Sequence, residues 1–272
     1  MTHPSFRFGP ALLFCPADRP DRYEKAADRA DAVIIDLEDA VAEGAKHEAR
    51  LALVESNLDP ERVIVRVNPA STPHFADDLA AVLATDYRTV MLAKCEGTAD
   101  LVDLAELEVI PLCETARGVV AAEALADLPN VSGLMWGAED LVASLGGSSS
   151  RHADGRFRDV ATYARSRVLL AAGAHGIAAI DAVHLDIGDA DGLAAEAEDA
   201  AALGFAATAC IHPTQVQVVR DAYRPSPERI AWARDVLDEA RAQGRGVFTF
   251  RGGMVDAPVL RQAEAIVRRA GG

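Results

Sequence analysis

Several short apolar runs in this sequence end in side chains that can move protons or bind cations. Asp36, Glu38 and Asp39 close DAVIIDLED, Glu114 closes VIPLCE, and Glu139 and Asp140 close LMWGAED. Like charges a few ångströms apart are costly unless a cation, a basic partner or raised pKa values relieve them. If these run ends converge, the cluster demands one of the three. Hard oxygen donors with neither Cys nor a His pair nearby favour Mg²⁺ or Mn²⁺ over Zn²⁺. Mg²⁺ uses one or two carboxylates and leaves its other octahedral positions to water and substrate. Glu114 and Asp140 fit that sparse pattern and are the expected protein ligands. Arg66, inside the apolar run VIVRVN, has two readings: an ion pair with a neighbouring carboxylate such as Asp36, or a planar fork for a substrate carboxylate. Beside a metal the second is favoured, because metal plus Arg makes a receptor for a 2-keto or 2-hydroxy acid.

These residues need elements that bring the run ends together. Apolar, β-branched runs recur at Ala11–Pro16, Ala32–Asp39, Arg62–Asn68, Thr89–Lys94, Val109–Thr115, Val131–Asp140, Ile177–His184 and Ala206–His212. Between them lie segments of helical periodicity, among them Arg22–Ala30, Lys46–Ser56, Thr98–Glu106 and Val160–Ala174. Continuous apolar runs are what buried parallel strands look like. A doubly wound open sheet would place a glycine-rich phosphate turn after an early strand, and the first turn, CPADRPDR, has none. Eight β-then-α units therefore predict a (β/α)₈ TIM barrel over residues 1–224, with the site at the carboxyl ends of its strands. Lys94, Asp181, His184 and His212 also end runs. The two histidines read as hydrogen-bonded or packed strand residues.

The character changes at RPSPER. Residues 225–272 predict a helix at about Pro227–Arg241, a turn at Gly244–Gly246, an extended VFTF and a last helix to about Ala270. No barrel strand remains for this extension, so it must pack outside the barrel or against a neighbour. The 272 residues are half apolar, enough for a large core, and their net charge of −15 argues against nucleic acid or an anionic membrane as partner. Four cysteines without metal spacing read as reduced residues of a cytoplasmic protein, and no run approaches the length of a membrane span. Only Lys25, Lys46 and Lys94 are available for lysine chemistry.

The segments LLFCPADRPDRYEKA, VIIDLEDAV, VIVRVN, VMLAKCE, PLCETARGV, LMWGAEDLVASLG, CIHPTQV and GGMVDAPVL, in this order, resemble the citrate lyase beta-subunit-like family, whose members include malyl-CoA and citramalyl-CoA lyases. The resemblance implies a barrel that assembles as a homotrimer or a multiple of trimers, with Mg²⁺ on Glu114 and Asp140 and the substrate acid on Arg66. Glu114 thereby also serves substrate binding, through the cation. It implies cleavage or formation of a carbon–carbon bond between a CoA-thioester enolate and a 2-keto acid, such as in malyl-, β-methylmalyl- or citramalyl-CoA. It also implies that Asp256 of MVDAP reaches the adjacent subunit's site as general acid/base, and that Arg19, Arg22 and Lys25 meet the CoA phosphates. A solvated basic face is the plainer reading of those three.

Glu38 and Asp39 are candidates for the base that takes the hydroxyl proton; they serve equally well as holders of metal-bound water or as a pair capping a loop. Three rival readings remain open. A Schiff-base aldolase would use Lys94. A malate synthase with thioesterase activity would use the same site. A citrate lyase beta subunit would work only within a complex.

Overall fold

The structure, a computed structural model, describes residues 3–244 and 246–271. Eight parallel strands pair in chain order: β1 (Ala11–Pro16), β2 (Ala32–Asp36), β3 (Val63–Val67), β4 (Thr89–Leu92), β5 (Glu108–Cys113), β6 (Gly133–Trp136), β7 (Ala178–Asp181) and β8 (Ala207–Cys210). β8 pairs back to β1 and closes the barrel. The helices between them are α1 (Tyr23–Arg29), α2 (Lys46–Val54), α3 (Phe75–Leu83), α4 (Ala116–Ala126), α5 (Ala138–Ser144), α6 (Asp159–His175) and α7 (Ala190–Leu203), followed by α8 (Pro213–Tyr223). The expected helix at Thr98–Glu106 is a 3₁₀ segment, Thr98–Leu104. Thr115 caps α4 by accepting from Gly118 N, and α6 and α7 stop at Gly176 and Gly204, whose φ of 69° and 110° suits glycine.

The strands end earlier than the apolar runs do, for local reasons. Beyond β2 the Asp36 carboxylate accepts from the backbone N–H of Glu38 and Ala40 and turns the chain. Beyond β6, Gly137 is already the N-cap of α5, so Asp140, expected at the end of the sixth strand, lies in the first turn of a helix. The seventh run, expected to reach His184, stops at Asp181.

Register explains which side chains enter the barrel. Leu12, Ile34, Ile64, Met91, Ile110 and Met135 form one buried interior cluster. Side chains alternate along a strand, so the next inward positions at the carboxyl end are Phe14, Asp36, Arg66, Ala93, Leu112 and Gly137, with Glu114 one step beyond Leu112. The switch from apolar to polar along this face marks the mouth.

The chain divides into compact units Met1–Val219 and Arg220–Gly272, the boundary falling within α8, where the sequence suggested 224. The second unit pairs α9 (Pro227–Gln243) and α10 (Ala257–Ala270) with an antiparallel hairpin, β9 (Phe248–Phe250) and β10 (Gly253–Val255). Ala233, Val236, Phe248, Val255, Ala263 and Ile266 form its own core. Of the expected turn Gly244–Gly246, Arg245 lies outside the described residues. No helix among the described residues is long and apolar enough to cross a membrane.

Candidate active site

Asp36 and Arg66 are register partners on β2 and β3, so their side chains emerge together at the mouth. Arg66 Nε donates to Asp36 Oδ1 at 2.7 Å and Nη2 to Oδ2 at 2.6 Å; Nη1 lies 3.2 Å from Glu38 Oε2. The guanidinium also stacks over Phe14, 4.7 Å from the ring centroid. Of the two readings of Arg66, the ion pair with Asp36 is the one observed. The pair takes the Nε edge of the guanidinium, so a substrate carboxylate would meet the Nη hydrogens that remain.

Glu114 follows β5 directly and is buried, with 3% of its surface exposed. Its Oε1 accepts from the Lys94 backbone N–H at 3.0 Å, and Oε2 accepts no hydrogen bond among the described residues. Gly137 is the reason this carboxyl fits: a Cβ there would stand 2.8 Å from Glu114 Oε2 and 2.9 Å from Glu114 Cβ. Three residues on, Asp140 sits half-exposed, its Oδ1 3.5 Å from Lys94 Nζ. The same ammonium makes a short contact with Glu38 Oε1 and lies 3.1 Å from Asp39 Oδ2. Lys94 thus gathers carboxylates from the loop after β2 and from the start of α5. As a basic residue ending a run, Lys94 reads from the sequence as a second cation at the mouth, a Schiff-base candidate or a neutraliser of Asp and Glu neighbours, and the contacts seen are those of the last. Behind it, Lys46 is buried and donates to the carbonyls of Leu37 and Glu38 and to Asn68 Oδ1, fixing the backbone beside Glu38. No sequence signal set this helical lysine apart.

Burial pushes the Glu114 carboxyl up to about 8; Asp140 and Glu38 add to the rise, while Arg66 and Lys94 oppose it. Burial also raises Glu38, against the pull of Arg66 and Lys94. Burial works against the charge on Lys94, but its bond to Glu38 and the nearby Glu114 and Asp140 carboxylates outweigh it and hold the amine protonated. Asp39 is lowered: burial raises it, but Lys94 and its bond within the Glu38 pair prevail. A buried carboxylate held near neutrality, with one oxygen lacking a hydrogen bond and a second carboxylate beyond it, suits a hard divalent cation such as Mg²⁺. No group of three or more His, Cys, Asp or Glu side chains is arranged as metal ligands among the described residues. Glu114 and Asp140 could serve as the sparse carboxylate set that Mg²⁺ takes; the closed set of Zn²⁺ would need more ligands.

The other expected residues are placed less centrally. Arg19 forks onto Asp21 at 3.0 Å in the turn before α1, Arg22 is the N-cap of α1, and only Lys25 lies within that helix. Asp256 caps α10, accepting from Val259 N at 3.3 Å. His184 is buried, with Nδ1 on Glu196 at 2.9 Å, and His212 pairs with Thr214 at 2.8 Å; both read as structural. Asp181 accepts from Trp136 Nε1 and the Arg165 guanidinium and is fully engaged in packing.

Comparison with known proteins identifies the family of the chain. The chain is 59% identical over 263 residues to a citrate lyase subunit beta-like protein of Mycobacterium tuberculosis, covering 97% of this chain and 96% of that one. It is 33% identical over 293 residues to the mitochondrial citramalyl-CoA lyase of Mus musculus, covering 96% and 85%. The crystal structure of CitE from M. tuberculosis in complex with magnesium, acetoacetate and coenzyme A superposes with a TM-score of 0.93 at 58% identity, covering 97% and 99%. Residues 10–213, which span the barrel from β1 to the start of α8, match the family described as HpcH/HpaI aldolase/citrate lyase, and the chain belongs to that family.

Proposed function

We propose that this protein is a Mg²⁺-dependent carbon–carbon lyase acting on a 3-hydroxyacyl-CoA whose hydroxyl carbon bears a carboxylate, such as malyl-, β-methylmalyl- or citramalyl-CoA. The observation that carries the reading is the buried Glu114 carboxyl, beside Asp140 and Lys94, at the carboxyl ends of the barrel strands. Glu114 and Asp140 would hold the cation, which supplies charge to bind the substrate carboxylate and hydroxyl and to lower the hydroxyl pKa. Arg66, fixed by Asp36, presents its remaining Nη hydrogens to the same carboxylate and stabilises charge that develops there. Glu38 and Asp39 lie within one ammonium's reach of Asp140 and are the candidates to accept the hydroxyl proton. Loss of that proton breaks the carbon–carbon bond to a 2-keto acid and a thioester enolate.

The enolate carbon then needs a proton. Asp256 is the proposed donor, acting on the site of an adjacent subunit in a homotrimer or multiple of trimers; the support is the MVDAP segment that the chain shares with the family. Arg19, Arg22 and Lys25 are the proposed contacts for the CoA phosphates, Arg22 and Lys25 being solvent-exposed beside β1. Incubation of the purified chain with malyl-, β-methylmalyl-, citramalyl- and hydroxymethylglutaryl-CoA, with and without Mg²⁺, tests the reading. Mg²⁺-dependent release of a 2-keto acid and an acyl-CoA from at least one is expected. Equal inactivity on all four overturns it, as does a borohydride-trapped adduct on Lys94; free malate in place of malyl-CoA would mark a synthase with thioesterase activity.

A further inference from the structure

We infer that Lys94 is a positioning residue for the cation site, and that it acts through its main chain: a left-handed backbone at Lys94 aims an N–H at Glu114 and fixes where that carboxyl stands. The inference rests on Glu114 being a cation ligand, as proposed above. Lys94 has φ 47°, a conformation that only Arg251 shares among the described non-glycine residues. An L side chain adopts it at a cost, and lysine lacks the short polar side chain with which Asn or Asp offsets it. The conformation is held by the surrounding barrel. Ala93 N donates to Val67 O at 3.3 Å at the end of β3, and Cys95 N donates to Leu112 O at 3.2 Å on β5. The Cys95 carbonyl is in turn closed off by α4, where a Cβ on Gly118 would stand 2.3 Å from it. With residues 93 and 95 pinned to opposite neighbours, residue 94 makes the connection in the left-handed region, and its N–H meets Glu114 Oε1 at 3.0 Å. Strain held by an over-determined frame beside a reactive group is the pattern expected of a positioning device.

The turn also explains how a lysine reaches the mouth. Counting by twos from Met91, the inward position is Ala93, and residue 94 in a regular strand would point away. The left-handed step re-aims the side chain, so that Nζ reaches Glu38, Asp39 and Asp140. A glycine would tolerate the turn and forfeit these contacts; an ordinary residue in extended geometry would forfeit both.

The test compares variants that all lack the ammonium and differ in their tolerance of positive φ. Lys94→Gly and Lys94→Asn accommodate the turn, whereas Lys94→Val and Lys94→Ala resist it. Mg²⁺ binding to the full-length protein is measured by calorimetry, with Mn²⁺ binding by electron paramagnetic resonance as a second readout. Because the side-chain contacts are lost in every variant, their effects largely cancel. The glycine and asparagine variants should bind about tenfold more tightly than the valine variant, with alanine between. Should Lys94→Val lack a cooperative melt, the alanine variant makes the comparison in its place. Equal affinities across the set, within twofold, would overturn the inference while leaving the cation site intact. Absence of Mg²⁺ binding by the unaltered protein, or unchanged binding by Glu114→Gln, would overturn the cation reading itself.

Discussion

Gly137→Ala isolates the geometry of Glu114 with little interference from the backbone. Gly137 sits at φ −130° and ψ 128°, ordinary extended values, so alanine meets no conformational penalty there. The whole effect comes from the new Cβ, 2.8 Å from Glu114 Oε2 and 2.9 Å from Glu114 Cβ. Rotating the carboxyl relieves the first contact and not the second, and Glu114 is too buried to swing into solvent. Strand β5 or the Gly137 turn must therefore shift, and overpacking of this kind costs about 1–3 kcal/mol. That is roughly 2–4 °C of melting temperature per kcal/mol in a chain of this size. A displacement that moves Glu114 relative to Asp140 should weaken Mg²⁺ binding at least about tenfold, the equivalent of about 1.4 kcal/mol. Thermal melting and Mg²⁺ calorimetry on one preparation measure both effects. Gly133→Ala, at the start of the strand that leads to Gly137, is the control: its Cβ would meet the Ala178 carbonyl oxygen at 3.1 Å, away from Glu114. It should lower stability and leave Mg²⁺ affinity unchanged. The reasoning is refuted if Gly137→Ala keeps Mg²⁺ affinity within twofold, or if both alanines lower it alike.

Other perturbations probe separate parts of the site. Glu114 titrates near 8 when folded against an ordinary value of 4.5, so between those pH values the folded chain holds a proton that unfolding releases. Without divalent cations, stability should fall as pH rises through that window, by up to about 1.4 kcal/mol per pH unit from this group. Glu114→Gln removes the slope, and denaturant melts at pH 5, 6.5 and 8 that ran parallel for the two proteins would count against a raised Glu114. Arg66→Ala leaves Asp36, 1% exposed, as a buried charge without its partner; urea denaturation should show a loss of about 3–5 kcal/mol, part of it recovered by adding Asp36→Asn. Asp256→Asn keeps a capping oxygen for α10 and removes the acid; it should melt as the unaltered protein does, bind Mg²⁺ equally well and lose turnover. Full turnover would remove Asp256 from the chemistry.

Much of the barrel is legible because buried parallel strands leave continuous apolar runs; Asp36, Arg66, Lys94 and Glu114 at the ends of those runs come together, whereas Asp181, His184 and His212 are engaged in local hydrogen bonds. The ends of the runs were read too late wherever the chain stayed apolar or acidic past the last ladder bond. Asp140 was placed on a strand because WGAED continues the run; what ends it is Gly137, whose value lies in the side chain it lacks. The Asp36–Arg66 pair was foreseen as one of two options, and register decided it, which a sequence without pairing information cannot do. That Lys94 can neutralise acidic neighbours is legible from its place at a run end; its left-handed φ is not, because no local signal such as Gly or Asn announces that turn. Lys46 was missed for a similar reason: a lysine opening a helix is ordinarily solvated, and only the fold shows three acceptors converging on it.

The central claim is that Glu114 and Asp140 jointly hold one divalent cation. Mg²⁺ calorimetry on the unaltered protein, Glu114→Gln and Asp140→Asn tests it without any substrate. The account predicts one Mg²⁺ per chain for the unaltered protein and loss of that isotherm in both variants, each still melting cooperatively. Binding that persisted unchanged in either folded variant would contradict it.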